Sequence, residues 1–315
     1  LASILLRERV ALNISAWIAL AEQQFSKTGL HFGHGTDNAS DEAVWLVLHA
    51  TGNVLDGSFD QWEQEVSPDQ AEKITDLIGR RSEGKQPLAY LLGSAWFAGL
   101  EFEVDERVLV PRSPIAELVV DQYSPWLDPT EVSRVLDLCT GSGCIAAATA
   151  VYMPHVQVDA ADISAAALEL AQRNILRHKV ESHVRLIQSD LFEGLSEQRY
   201  DLIVTNPPYV AHSEAKQLPP EYQAEPAIGL YSGLDGLDLC LRIMMQSAHH
   251  LEEGGILICE VGESAGRLAA VLPAVPFLWL EFHNGGEGVF LMTRDELLQA
   301  AESITALIEE RNRVR

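Results

Sequence analysis

Basic residues are scarce in this chain: 22 Lys and Arg stand against 46 Asp and Glu in 315 residues, a formal net charge of −24. Sequence-independent binding to DNA or RNA draws its affinity from clustered Lys and Arg that neutralise phosphates, so the balance argues against a direct nucleic-acid partner. Cysteine is also scarce. Cys139, Cys144, Cys240 and Cys259 form neither a CxxC pair nor a disulfide-rich pattern, which points to a reducing compartment, the cytoplasm. No apolar run reaches the ~20 residues a membrane-spanning helix needs; the longest candidate is Cys144 to Met153, so no membrane partner is expected. No secretory leader is visible, and the sequence starts on Leu1. Glycine (22) and proline (14) are not in excess and 47% of residues are apolar, a composition that buries a core and folds. The adjacent His249 and His250 point to different sides of a helix and cannot chelate together, so no metal is expected.

The length suits one large domain with a smaller companion. Up to about Gln86, apolar residues recur at spacings of three and four, as in Ile14, Trp17, Ile18 and again Val44, Leu46, Val47, Leu48. That predicts a helical N-terminal domain over 1–86, with Gly29 to Ser40 as a loop between helices. Phe102, Val104, Val108 and Val110 alternate around a polar Asp105-Glu106-Arg107 tip, which predicts a β-hairpin and makes 87–112 a linker. From 113 to 315 short apolar runs alternate with helical segments. The runs are Arg134 to Leu138, Val156 to Ala160, Val184 to Gln188, Leu202 to Thr205, Gly255 to Glu260, Phe277 to Phe282 and Val289 to Thr293. Such alternation implies a mostly parallel sheet covered on both faces. The last two runs are joined by His283 to Gly288, too short for a parallel crossover and suited to a hairpin. The expected fold is therefore α/β, a Rossmann-like seven-stranded sheet with an antiparallel last strand. That topology resembles the class I S-adenosylmethionine methyltransferases.

The first chemical motif is the strand Val135-Leu136-Asp137-Leu138 running into Cys139-Thr140-Gly141-Ser142-Gly143 and then a helix. Glycines at 141 and 143 allow a tight turn and a close approach of ligand to backbone. A tight turn without a ligand explains the same residues, and dinucleotide-binding folds use the same turn; Ala146 stands where their third glycine falls. Two carboxylates sharpen the reading. Asp162 ends the second strand, where an acceptor for ribose hydroxyls belongs, and Asp190 follows the third, where an adenine would lie. Each alone reads equally as a helix cap or a solvated charge, Asp162 preceding the N-cap candidate Ser164.

The second motif is Asn206-Pro207-Pro208-Tyr209, directly after the fourth strand. Asn-Pro alone is a common turn opener. The four in this order suit methylation of an amino group attached to a planar π system. Its nitrogen is a poor nucleophile, so the Asn206 side-chain oxygen and the Pro207 carbonyl would each accept one N–H and turn the lone pair toward an activated methyl group. Two prolines restrict the backbone that must hold these acceptors, and Tyr209 can cover the planar group. No strong general base is required, and none stands beside the motif; His212 lies in the following loop. That loop, Val210 to Gly233, contains Pro219, Pro220 and Pro226 and is a candidate lid or substrate loop.

These residues together resemble the HemK-type protein-(glutamine-N5) methyltransferases. The resemblance runs from about Gln86 to Leu298 and is carried by Pro87-Leu88-Ala89-Tyr90-Leu91-Leu92-Gly93, Phe97, Val110-Pro111-Arg112 and Thr205-Asn206-Pro207-Pro208-Tyr209. Arg107 to Ile115, Leu138 to Cys144, Pro220-Glu221-Tyr222-Gln223 and Trp279-Leu280-Glu281-Phe282 look like the PrmB branch, which modifies large-subunit ribosomal protein three. The release-factor branch carries an acidic-Thr-Glu pattern after Pro-Arg and a Gly at position 139, and the chain departs from both. The resemblance implies that Cys139, Thr140, Gly141, Ser142, Gly143 and Asp162 contact S-adenosylmethionine, with Asp190, Leu191 and Asn206 completing its site. It implies that Asn206, Pro207, Pro208 and Tyr209 hold the glutamine, with Phe97 beside its amide, and that Asn206, Pro207 and Tyr209 are the catalytic set. The N-terminal module would recognise the protein substrate.

The alternatives are methylation of peptide chain release factors, adenine N6 methylation of nucleic acid, which uses a related motif, and a binding protein that has lost activity. The charge separates them further. A ribosomal protein that binds RNA is strongly basic, and 33 acidic against 15 basic residues lie after Gln86, so the expected partner is a basic ribosomal protein drawn in electrostatically.

Overall fold

The computed structural model describes residues 12–55, 57–195 and 198–314; the helical pattern read over the first eleven residues lies outside them. The chain forms two compact units, Leu1–Ala95 with Pro219–Ala224, and Trp96–Leu218 with Glu225–Arg315.

The first unit is helical: α1 (Ile14–Lys27), α2 (Ala39–Thr51), α3 (Pro68–Ser82) and the short α4 (Leu88–Leu92). Local chemistry sets the boundaries. Asn13 and Asn38 accept N–H groups of the first turns of α1 and α2, and Ser67 and Gln70 form a reciprocal capping box ahead of α3. Gly52, in the left-handed region at φ 79°, ends α2. Ile14, Trp17 and Phe25 of α1, Leu46 and Val47 of α2, and Ile74 and Leu77 of α3 are buried, as the three-and-four spacing requires. Arg81 is buried on α3. It is charge-paired with Glu42 at 2.9 Å and Glu221 at 3.2 Å and donates to the His31 carbonyl at 2.9 Å, so the buried guanidinium is compensated on three sides.

The division between the units falls within β1 (Ser94–Phe97), which pairs with β2 (Leu100–Glu103). The turn therefore falls at Ala98-Gly99 and not at the expected Asp105-Glu106-Arg107 tip. Ala98 and Gly99 both have positive φ, 49° and 73°, the conformation that a tight two-residue hairpin demands. The alternation of Val104, Val108 and Val110 reflects burial of these side chains without strand pairing.

A seven-stranded sheet follows, in the order β5-β4-β3-β6-β7-β9-β8. Its strands are β3 (Arg134–Leu138), β4 (Gln157–Asp162), β5 (Val184–Gln188), β6 (Tyr200–Thr205), β7 (Leu251–Glu260), β8 (Leu278–Trp279) and β9 (Val289–Thr293). Strands β3 to β7 pair in parallel and β9 runs antiparallel to β7 and β8, the expected α/β methyltransferase topology. Connecting helices are α5 (Ile115–Val120), α6 (Cys144–Tyr152), α7 (Ala165–His178), α8 (Asp238–His250) and α9 (Ala265–Val271), with α10 (Arg294–Val314) after the sheet. Alternate strand residues enter two separate cores. Val135, Leu202, Val204 and Ile258 pack on one face, and Leu136, Leu138, Ile203 and Leu257 on the other. Because β3 lies between β4 and β6, the chain reverses direction across the sheet there, and the carboxyl ends of these strands form the crevice where ligands bind in open α/β sheets.

Candidate active site

At that crevice lies a cavity of about 260 Å³. Cys139, Gly141, Asp162, Asp190, Leu191, Asn206 and Pro208 line it, so residues from the ends of four neighbouring strands converge. The remaining residues of the turn serve it from behind. Thr140 Oγ1 donates to Asp137 Oδ2 at 2.5 Å, and the Ser142 carbonyl accepts from Asn174. A Cβ on Gly143 would come within 3.0 Å of Ala171, so this glycine lets α7 approach the turn.

The turn is tied to the next strand. Gly141 donates its N–H to Asp162 Oδ2 at 2.9 Å, and Ser164 donates to Oδ1 at 2.9 Å. Burial pushes the Asp162 carboxyl above its ordinary range, opposed by these N–H donors. Asp190 is held at 3.0 Å by Arg242, which also lines the cavity. Cys139 and Leu191 adopt positive φ, 58° and 47°. Strain of this kind in residues with a side chain concentrates at ligand sites, and both residues face the cavity.

Asp137 did not stand out in the sequence as a site residue. It is fully buried behind the turn; Oδ2 accepts from Thr140 and from the Ala146 N–H at 3.0 Å, while Oδ1 has no hydrogen-bond partner among the described residues. Burial pushes its carboxyl up to about 7. The signal was available as one carboxylate between the apolar Leu136 and Leu138 inside the strand.

The Asn-Pro-Pro-Tyr segment leaves β6, where Thr205 Oγ1 donates to the Leu138 carbonyl at 2.8 Å and brings the segment beside the glycine turn. Asn206 lines the cavity, and its Oδ1 is buried with no hydrogen-bond partner among the described residues. Pro207 and Pro208 are buried. Tyr209 donates its hydroxyl to Glu260 Oε1 at 3.0 Å, at the end of β7. Phe97 is 3% exposed and packs in the apolar core against Phe102; like Pro207 and Tyr209, it is not among the residues that line the cavity.

The loop from Val210 to Gly233 is ordered by its own contacts. Val210 N–H bonds the Leu230 carbonyl at 2.8 Å and His212 N–H the Gly233 carbonyl at 3.0 Å, zipping the two ends together. Glu225, with a fully buried side chain, receives two hydrogen bonds from Arg112, at 2.5 and 2.7 Å, and one from the Val110 N–H at 3.1 Å. Pro226, Ile228, Gly229 and Tyr231 consequently wall the cavity opposite the strand ends, together with Arg107, Val108 and Leu109.

Residues 124–219 match the family model of the methyltransferase small domain, and residues 16–93 that of the PrmC N-terminal domain. The chain is 49% identical over 294 residues to the ribosomal protein uL3 glutamine methyltransferase of Xanthomonas campestris pv. campestris, covering 93% of this chain and 95% of that one. It is 43% identical over 288 residues to the protein of the same name from Francisella tularensis subsp. tularensis, covering 91% and 92%. Among solved structures, a methyltransferase from Pyrococcus furiosus is 19% identical with a TM-score of 0.44, covering 62% of this chain and 89% of that one.

S-adenosylmethionine is the methyl donor for this fold, and the residues present fit it. The cavity offers a carboxylate at the end of β4, another after β5, and a glycine turn open to close approach. Among the described residues, no group of three or more His, Cys, Asp or Glu could hold a metal ion, and no helix is long and apolar enough to cross a membrane. With this identity sustained along nearly the whole of both chains, the protein belongs to the ribosomal protein uL3 glutamine methyltransferase family.

Proposed function

We propose that the chain transfers a methyl group from S-adenosylmethionine to the side-chain amide nitrogen of a glutamine in ribosomal protein uL3. The observation that carries this reading is the Asn206 Oδ1 atom, a buried acceptor without a partner at the wall of the cofactor cavity. A buried acceptor left unmatched costs stability unless a ligand donor completes it, and an amide NH₂ is such a donor.

Bound S-adenosylmethionine supplies an electrophilic methyl group on its sulfonium. The protein supplies position. Asp162 and Asp190 hold the nucleoside end, and Asn206 Oδ1 and the Pro207 carbonyl each accept one N–H of the glutamine amide. With both hydrogens occupied, the nitrogen lone pair is turned out of conjugation with its carbonyl. Tyr209 walls the planar group. Catalysis of this kind is orientation plus fixed dipoles, and the alkylated nitrogen loses its proton without a strong base.

The first unit is assigned recognition of the protein substrate. The partner is the basic ribosomal protein and not its RNA, because the excess of 46 acidic over 22 basic residues repels phosphate. A ribosomal protein substrate and free cysteines at 139, 144, 240 and 259 favour the cytoplasm. The test incubates the chain with radiolabelled S-adenosylmethionine and, separately, uL3, a release factor and DNA. Label in a uL3 glutamine is the expected result; label in the release factor or DNA alone would refute the assignment.

A further inference from the structure

Glu260 ends β7 and is 5% exposed. Its two oxygens are taken by two distant segments: Ser113 Oγ donates to Oε2 at 2.5 Å and the Tyr209 hydroxyl donates to Oε1 at 3.0 Å. Ser113 is itself fixed, accepting the Ile115 N–H at 3.1 Å where α5 begins. Tyr209 is held from its other sides as well. Ser264 Oγ donates to its carbonyl at 2.8 Å. A Cβ on Gly262 would lie 2.6 Å from the tyrosine ring, and one on Gly236 would lie 2.1 Å from its carbonyl oxygen. Both glycines have positive φ, 46° and 87°, so backbone replaces side chain where it meets Tyr209.

We propose that Glu260 is a positioning residue for the methyl acceptor: by accepting the hydroxyls of Tyr209 and Ser113 it fixes the tyrosine ring as the wall against which the substrate's planar amide lies. This rests on the glutamine-methylation reading given above. The chemistry explains why a carboxylate stands here. An ionised carboxylate only accepts, so both hydroxyls must donate and both rotors are set. Burial pushes the Glu260 carboxyl above its ordinary range, while the hydrogen bonds from Ser113 and Tyr209 and the charge of Arg112 favour the ionised form. The same arrangement commits the Tyr209 hydroxyl, so the tyrosine acts through its ring and not as an acid or base. Asn206 and Tyr209 are three residues apart on a proline-stiffened segment. Anchoring the far end of that segment at Glu260 also restrains the end that carries the acceptor oxygen, and small misplacements of reacting groups are costly.

The test uses the full chain with S-adenosylmethionine and uL3. Tyr209→Phe removes the donor and Glu260→Leu the acceptor of one contact. Each is expected to lower kcat about tenfold, the scale of one hydrogen bond. Cofactor affinity by calorimetry should stay within about twofold of wild type. The double variant should be no slower than the slower single variant, because both changes remove the same interaction. Glu260→Gln, whose oxygen still accepts the tyrosine hydroxyl, should recover most of the rate. Additive losses, or Tyr209→Phe turning over like wild type, would overturn the proposal; should Glu260→Leu not fold, Tyr209→Phe decides alone. Fluorine NMR of fluorotyrosine-labelled chain gives a readout without substrate, with the Tyr209 signal identified by its loss in Tyr209→Phe. That signal should shift or broaden in Glu260→Leu and stay near its wild-type position in Glu260→Gln, and a signal unmoved in Glu260→Leu contradicts the anchoring. If the wild-type chain methylates no glutamine, the functional assignment fails, while the fluorine spectrum still decides whether Glu260 holds Tyr209.

Discussion

Gly141 donates its backbone N–H to Asp162 Oδ2 at 2.9 Å across 21 residues of chain, locking the glycine turn after β3 to the end of β4. The second oxygen accepts from Ser164, so the carboxylate is aimed before any ligand arrives. Asp162→Ala removes the acceptor proposed for the ribose and loosens the turn together. Cofactor affinity is expected to fall at least about tenfold, the scale of a charge-assisted hydrogen bond. Titration calorimetry checks this, and unchanged affinity would remove Asp162 from the site.

The role proposed for Asn206 is a different one, toward the acceptor nitrogen. Asn206→Ala should leave S-adenosylmethionine affinity nearly intact while kcat drops by about a hundredfold or more, as when a preorganised polar contact to a reacting group is lost. Calorimetry run beside steady-state kinetics separates the two effects. Affinity falling in parallel with turnover would contradict the role.

Asp137 makes stability depend on pH. Its folded-state carboxyl titrates at about 7 because of burial, against an ordinary value of 3.8. Between those values the folded protein holds a proton that the unfolded chain releases. Stability contributed by this group is therefore complete below 3.8 and lost as pH rises through about 7. Asp137→Asn cannot ionise. Without cofactor its melting temperature should gain on wild type as pH rises to about 8, and the gain should vanish toward about pH 4. Thermal melts across that range test it, and a difference independent of pH would contradict it.

Much of this was legible in the sequence, for identifiable reasons. Arg134–Leu138, Val184–Gln188 and Val289–Thr293 read as strands with the bounds they have, because short β-branched and aliphatic runs there are bounded by polar or turn residues. That Asp162, Asp190 and Asn206 line one cavity was legible because parallel strands present their carboxyl ends together, so spacing along the chain translates into a shared crevice. The hairpin tip was not, since nothing in Ala98 announces a positive φ. Glu260 was hidden as well: its meaning depends on Ser113, 147 residues away, and on Tyr209, 51 residues away. Such polar partnerships leave no periodic trace.

Charge leads to a kinetic expectation. With 33 acidic and 15 basic residues after Gln86, encounter with the proposed basic ribosomal protein should be steered electrostatically. The kcat/KM for uL3 should fall steeply as the screening length shrinks from about 30 Å at 0.01 M salt to about 10 Å at 0.1 M. A rate indifferent to ionic strength would remove steering from the account.

The most direct measurement of the central claim is mass spectrometry of uL3 from cells lacking this gene, complemented with the wild-type chain or with Asn206→Ala. One added methyl on a glutamine amide of uL3 should be absent in the deletion, restored by the wild-type chain and not restored by Asn206→Ala. A uL3 glutamine methylated equally in all three strains would contradict the account.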